Sequence, residues 1–407
     1  MVTRASELLD EIGAEVRRFV RLETSAAILL LLATLAAMTI KNSPIAGLYS
    51  DFLMLEGQVR IGAINLEKAL FLWVNDGWMA LFFFLVGLEI KYEVIYGHLK
   101  DRSQLVLPAA GALGGVVVPA LIYAGVNWDD PVALKGWAVP TATDIAFALG
   151  VLALLGSRVP VALKVFLMTL AIIDDLVAIV VIAFFYTSGL SLASLVAAGL
   201  CVLTLVVLNR LGIHRLGPYV LVGLILWVCV LKSGVHATLA GVVTALLIPS
   251  WQRTDGVESI HGLVEDLHPW IAFGILPGFA FVNAGIDFQG MNFEKLLNGV
   301  PLGIALGLVV GKSLGVFAFA QAAIKLGWAK FPDGVDSRLL FGVAILCGIG
   351  FTMSFFIGGL AFAEGGAGYS RIDRLGIIVG SLVSAIAGYL YLRRALAVPA
   401  TSSTAPG

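Results

Sequence analysis

Long apolar runs dominate this chain and restrict what it can fold into more than any other feature. Twelve can be marked, at roughly 24–40, 69–91, 104–124, 136–156, 161–187, 191–209, 216–232, 234–250, 269–287, 300–324, 338–363 and 373–393. A helix of about 20 such residues crosses a hydrocarbon layer about 30 Å thick. The seventh and eighth runs are short and nearly merge, so a count of eleven is also consistent with the pattern. Only 13% of the 407 residues are charged, 59% are hydrophobic and the mean hydropathy is +0.97. Soluble domains carry roughly 25% charged residues, and one soluble core could not enclose so many runs. The predicted fold class is an all-α polytopic membrane protein of about 12 transmembrane helices.

Basic residues set the expected orientation. With the N-terminus in the cytoplasm, 17 of the 26 Lys and Arg fall inside, eight fall outside, and Lys312 lies within a span. Both termini are then cytoplasmic. Residues 1–23 mix Leu8, Leu9, Ile12, Val16 and Phe19 with Glu and Arg at helical spacing, which predicts an interfacial helix. Because this stretch is charged, no cleavable signal peptide is expected. Residues 48–66, with Gly57 and Gly62, predict an external hairpin. Residues 24–395 form one transmembrane domain, and 396–407 read as a disordered tail. The net charge of −1 argues against a nucleic-acid partner, which would want a basic face. Cys201, Cys229 and Cys347 lie far apart within apolar runs and form no metal or disulfide framework. No cofactor is implied.

An ionisable side chain at membrane depth costs at least about 2.5–3.5 kcal/mol and marks a functional candidate. Asp76, Glu89, Asp144, Asp174, Asp175, His236 and Lys312 are so placed. The strongest signal is Ala171-Ile172-Ile173-Asp174-Asp175-Leu176, two adjacent carboxylates in mid-span. Successive helical residues point ~100° apart, so one aspartate can face a watery path while the other finds a partner inside the bundle. Burial and mutual repulsion both penalise the doubly charged pair, as suits groups that trade a proton for a cation. Lys312 is the one deep base available to them, and it cannot neutralise two aspartates as well as Asp144.

The fourth span carries Pro140, which removes a backbone donor, followed by Thr141, Thr143 and Asp144. A helix interrupted at mid-membrane, its backbone tied by these polar groups, explains that pattern. The eleventh span has a matching weakness at Gly348-Ile349-Gly350-Phe351-Thr352-Met353-Ser354. Each interruption lies between flanking spans rich in small residues: Gly111, Gly114 and Gly115, then Gly303, Gly307, Gly311 and Gly315. The two triplets begin on opposite membrane sides, the layout of an inverted repeat, and paired interruptions point to a transporter's binding site. Glu89 and Glu93 stand near the cytoplasmic end of the second span, as mouth-lining or ordinary interface acids. Asp76 and His236 lie toward the outer side. His268, just before Pro269, reads as a cap on the ninth span.

At these residues the sequence resembles the bacterial sodium/proton antiporter A family (NhaA). The similarity rests on Leu85-Val86-Gly87-Leu88-Glu89-Ile90-Lys91, on Thr141 to Gly150, on Ala171 to Leu176, on Leu231 to Gly241 and on Cys347 to Ser354, colinear over about residues 25–395. That family is a known example of inverted repeats with broken helices. The resemblance implies that the fourth and eleventh spans unwind and cross near the midplane. It implies Asp175 as the principal ligand for Na+ or Li+, Asp174 as its neighbour and Thr143 as an oxygen donor. Asp144 would offset the helix N-termini at the crossing, and Lys312 the C-termini, with Lys312 also able to pair with Asp174. Glu89, Glu93, Glu265 and His268 would belong to the cytoplasmic mouth and its pH regulation. A homodimer through the hairpin is also implied. Two departures fall in that cytoplasmic region: Tyr92 replaces a basic residue, and the run Leu263-Val264-Glu265-Asp266-Leu267-His268-Pro269-Trp270 displaces an acid and lacks a histidine.

The expected activity is exchange of Na+ or Li+ for H+ across the inner membrane by alternating access. A sodium-coupled solute symporter would need a roomy polar cavity. An intramembrane enzyme would need an aspartate in a Gly-x-Gly-Asp run or further phosphate contacts after Asp175, and the sequence has neither.

Overall fold

The computed structural model describes residues 24–61, 64–97, 102–187, 189–250, 259–288, 296–297, 299–363, 366, 368–369 and 372–397. The predicted interfacial helix at 1–23 and almost all of the predicted tail lie outside these residues. Among the described residues, seven helices are long and apolar enough to cross a membrane. They are α1 (Thr24–Lys41), α3 (Leu70–Ile95), α4 (Arg102–Val126), α7 (Val161–Phe185), α8 (Leu192–Arg210), α12 (Gly299–Lys325) and α15 (Asp373–Ala395). Two bent pairs raise the number to nine: α5 (Pro131–Thr141) with α6 (Ile145–Ala153), and α13 (Ser337–Leu346) with α14 (Phe351–Ala361). The remaining helices are α2 (Ala46–Leu53), α9 (Leu216–Leu231), α10 (Leu239–Leu247) and α11, which runs through Ser259–Trp270, Ile271–Ile275 and Leu276–Asn283. Lipid contact explains why Leu192, Leu200 and Leu221 can be 77%, 60% and 62% exposed on helices this apolar.

Three boundaries differ from the sequence pattern. The eighth run, 234–250, is helical only over α10, nine residues or about 13 Å at 1.5 Å per residue. Its polar start, with Ser233, His236 and Thr238, bonds locally instead: Val235 N donates to Ser233 Oγ, and His236 Nδ1 lies 2.8 Å from Thr238 Oγ1. The ninth helix begins ten residues earlier than predicted, so His268 and Pro269 both sit inside α11 and not at its start. The π turn that follows, Ile271–Ile275, is a local widening of the helix just beyond the proline. The hairpin comprises β1 (Glu56–Ile61) and β2 (Ile64–Ala69), antiparallel with Val59 opposite Leu66, and the first part of the predicted 48–66 segment is α2. Trp73 Nε1 donates to Gly57 O at 3.0 Å and fastens the hairpin to α3.

Small residues set the closest helix contacts. A Cβ on Gly114 of α4 would strike the carbonyl of Gly315 on α12, and the reverse holds equally. Gly311 likewise meets Pro119, and Gly307 meets Pro140. Backbones can approach this closely only where side chains are missing. A second tight pair joins α3 to α10, where Gly87 faces Ala245 and Gly241 faces the Ala80 carbonyl. Lys91 completes it by donating to the carbonyls of Leu246 and Ile248 at the C-terminal end of α10.

Candidate functional site

Pro140 lies in the last turns of α5, which tighten to a 3-10 helix over Lys135–Thr141. The chain is then extended at Ala142 and Asp144 before α6 starts, and the axis bends by 42°. On the other side, Gly348 and Gly350 occupy the gap between α13 and α14, which bend by 48°. Each interruption satisfies the other's backbone, as buried polar groups require. The Asp144 amide donates to Ile349 O at 2.6 Å, and Ser354 Oγ donates to Val139 O at 2.8 Å. Thr143 Oγ1 lies 3.0 Å from Cys347 O. The two interrupted helices therefore meet in the interior, at residues 139–144 and 347–354.

The Asp144 carboxylate serves two helix N-termini at once. Its Oδ1 accepts the Phe147 amide at 3.0 Å, capping α6, and its Oδ2 accepts the Thr352 amide at 3.1 Å as well as the Thr352 hydroxyl. Negative charge is favoured where exposed amides gather. Lys312 stands at the complementary pole. It is fully buried, ends the π turn Gly307–Lys312 of α12, and donates to Thr141 O at the C-terminal end of α5. Its Nζ also lies 2.5 Å from Asp174 Oδ2 in an ion pair.

Asp174 and Asp175 occupy the middle of α7, and both are buried. Asp174 Oδ2 receives Lys312 and also lies 2.7 Å from Thr143 Oγ1. Thr143 has one hydroxyl hydrogen, yet Asp174 Oδ2 and Cys347 O both lie within bonding range of it. Asp174 Oδ1 is buried with no hydrogen-bond partner. No hydrogen bond to the Asp175 carboxylate is found among the described residues; its electrostatic neighbours are Asp174, Glu89, Asp144 and Lys312. No three His, Cys, Asp or Glu side chains among the described residues gather into a metal cage.

The other sequence-derived candidates divide by position. Glu89 on α3 is electrostatically coupled to Asp175 and so belongs to its surroundings. Glu93 lies a turn further along, beside Gly97. Glu265 and His268 lie on α11. Glu265 Oε2 is 3.7 Å from His261 Nδ1, and the His261 ring lies 5.1 Å from that of Tyr92. His261 stands i,i+4 from Glu265, a spacing legible in the sequence although hydropathy gives this polar stretch the look of a loop. Asp76, in the π turn Val74–Trp78 of α3, pairs with Lys68 at 2.6 Å and lies 3.9 Å from His236 Nε2. Asp76, Lys68 and His236 line a cavity of about 800 Å³ whose walls include Phe355 and Phe356 of α14, while Asp174 and Asp175 are not part of its lining.

Several apolar spans, two interrupted helices tied together in the interior, and a carboxylate pair with a buried lysine beside them define a multi-pass membrane ion transporter. The chain belongs to the family described as Na+/H+ antiporter 1, whose sequence profile matches residues 17–392. A Pseudomonas putida strain GB-1 protein named Na(+)/H(+) antiporter NhaA is 57% identical over 372 residues, covering 91% of this chain and 95% of that one. Proteins of the same name from Aeromonas hydrophila and Shewanella loihica are 55% and 54% identical, each covering 94% of this chain and 96% or 97% of their own. The relatives are transporters by name, not enzymes.

Proposed function

We propose that this protein exchanges Na+ or Li+ for H+ across the bacterial inner membrane by alternating access, with Asp174 and Asp175 as the shared seat of cation and proton. The observation that carries the reading is the buried carboxylate pair beside the crossing, one of whose oxygens, Asp174 Oδ1, lacks any protein partner. A buried carboxylate oxygen without a partner is costly, and a proton or a small cation relieves that cost. In the state described, Lys312 holds Asp174 through Oδ2. An entering cation takes oxygens from Asp175, from Asp174 and from Thr143, whose hydroxyl already reaches Asp174. Positive charge arriving at the pair weakens the hold on its protons, and these leave toward the side from which the cation came. After the site turns to the other face, cation loss and reprotonation restore it. Both loaded forms approach neutrality, which lowers the cost of moving the site through the apolar layer.

Asp144 and Lys312 keep the crossing charged but balanced, one at the N-termini and one at the C-terminal carbonyl of α5. Glu89 and Glu93 belong to the cytoplasmic approach, with Glu265 and His268 in pH regulation. Asp76 and His236 lie on the outer approach, along the 800 Å³ cavity. The full reading has twelve helices in two inverted three-helix repeats around the crossing, both termini cytoplasmic, and a homodimer joined through the β1–β2 hairpin. More than one proton per cation would make turnover respond to membrane potential. The test uses everted vesicles carrying Asp175→Asn protein. Added Na+ should no longer dissipate the proton gradient, and exchange at the wild-type rate would refute the assignment.

A further inference from the structure

The N-terminus of α14 is held from two sides, and only one of the holders belongs to the interrupted pair. Asp144 takes the Thr352 amide. The preceding amide, that of Phe351, donates to Ser381 Oγ on α15 at 3.1 Å. The first amides of a helix have no partner within it, and lipid offers none. Gly350, at the cap position of α14, has no side chain with which to supply one. Ser381 is buried and 30 positions away in sequence, so the bond is a tertiary contact and not a local cap. The α15 backbone comes within reach because Gly380 packs on Leu308, whose side chain would lie 2.9 Å from a Cβ there.

One turn further along α15, Ser384 is fully buried, and its hydroxyl has no hydrogen-bond partner. Residues three apart share a helix face, and Ser384 Oγ would lie 2.5 Å from a Cβ on Gly348. Two serines of equal chemistry and similar burial thus face the same interruption. One is bonded to it and the other is not.

We propose that Ser381 is a positioning residue for the ion site: by accepting the Phe351 amide it fixes the first turn of α14, presents Thr352 to Asp144, and keeps the linker of residues 347–350 where Cys347 O meets Thr143. The inference rests on the reading of the crossing as the ion site. Ser381→Ala removes the acceptor, and Ser381→Thr keeps an oxygen at the same place. Ser384→Ala removes a hydroxyl of similar burial that holds nothing.

The experiment reconstitutes wild type and these three variants in proteoliposomes. It reads the Na+ half-saturation and turnover of proton flux, and amide hydrogen exchange in a peptide spanning 351–354. Loss of one buried hydrogen bond changes an equilibrium by up to about tenfold. Ser381→Ala should therefore raise the half-saturation about tenfold and speed exchange of that amide by a similar factor. Ser381→Thr should restore both, and Ser384→Ala should leave both near wild type. Wild-type behaviour of Ser381→Ala in both readouts would overturn the proposal. So would Ser384→Ala losses as large as those of Ser381→Ala, which would mean that any change to this face of α15 is damaging. A wild-type protein that moved no protons in response to Na+ would defeat the transport reading instead, and the amide measurement would still decide whether Ser381 holds the turn.

Discussion

Replacing Asp144 by Asn changes few atoms but alters the charge and the donor balance of the crossing. The carboxylate accepts three hydrogen bonds, from the Phe147 amide, the Thr352 amide and the Thr352 hydroxyl. Asparagine offers one acceptor oxygen and two donors. Whichever way its amide turns, one helix N-terminus faces an NH2 group instead of an oxygen. An orphaned buried amide costs about 1–3 kcal/mol. Loss of the negative charge between two N-termini adds roughly 0.3–2 kcal/mol. Together the destabilisation is about 1–5 kcal/mol. Membrane proteins in detergent commonly unfold irreversibly, so the quantity to measure is a rate of thermal inactivation. If the loss falls on the unfolding barrier, Asp144→Asn inactivates at least about fivefold faster than wild type at fixed temperature, and Asp144→Ala, which satisfies neither end, faster still. The assay follows the folded fraction by size-exclusion fluorescence after timed heating. An Asp144→Asn protein that decays at the wild-type rate would refute the two-ended role given to this carboxylate.

Other consequences follow from packing and capping. Gly315→Ala places a methyl on the Gly114 carbonyl and 3.0 Å from Val118 Cβ; overpacking of this kind costs about 1–3 kcal/mol. It should lower thermal stability, and a variant as stable as wild type would show that α4 and α12 are not locked there. Asp336, outside the spans, caps α13 through the Leu339 amide at 2.9 Å and pairs with Arg338 at 2.9 Å. Burial works against its charge, but the Leu339 amide and the Arg338 guanidinium hold its carboxyl below the usual range. Its contribution to stability is therefore complete above the unfolded carboxyl pKa and is lost as pH falls through the folded one. The stability gap between wild type and Asp336→Asn should be widest near pH 7 and close in acid below about pH 4. A gap that widened in acid would contradict the capping role. Because this side chain is partly exposed, solvent screening keeps the gap small.

Much of the molecule was legible because the signals are local. Hydropathy identifies the long spans one residue at a time. Pro140 and the Gly348–Gly350 pair mark the interruptions, since a missing donor or a missing Cβ acts on the adjacent backbone whatever surrounds it. Asp174, Asp175, Asp144 and Lys312 stood out because charge within an apolar run is costly wherever the run ends up. Boundaries failed where polar residues began a helix. α11 starts in Ser259-Ile260-His261-Gly262, which hydropathy reads as loop, and the apolar run that opens at Pro269 suggests a start there although Pro269 lies inside the helix.

What the tertiary structure alone decided is which of these groups touch. Thr143 meets Cys347 across 204 positions and Asp144 meets Thr352 across 208, whereas the Lys312–Asp174 pair, across 138, is one the family resemblance had already implied. No periodicity records such pairings, because each partner is a single polar residue whose surroundings look like those of any serine, threonine or lysine in an apolar helix. Ser381 is the plainest case. Nothing near it in the chain separates it from Ser384, and only the placement of the α14 N-terminus gives one a bond and leaves the other without. The sequence determined that charge and broken backbone must lie within the bilayer, since those properties belong to individual residues. Their mutual satisfaction depends on distances in space, and it was decided only when the two interruptions were folded against each other.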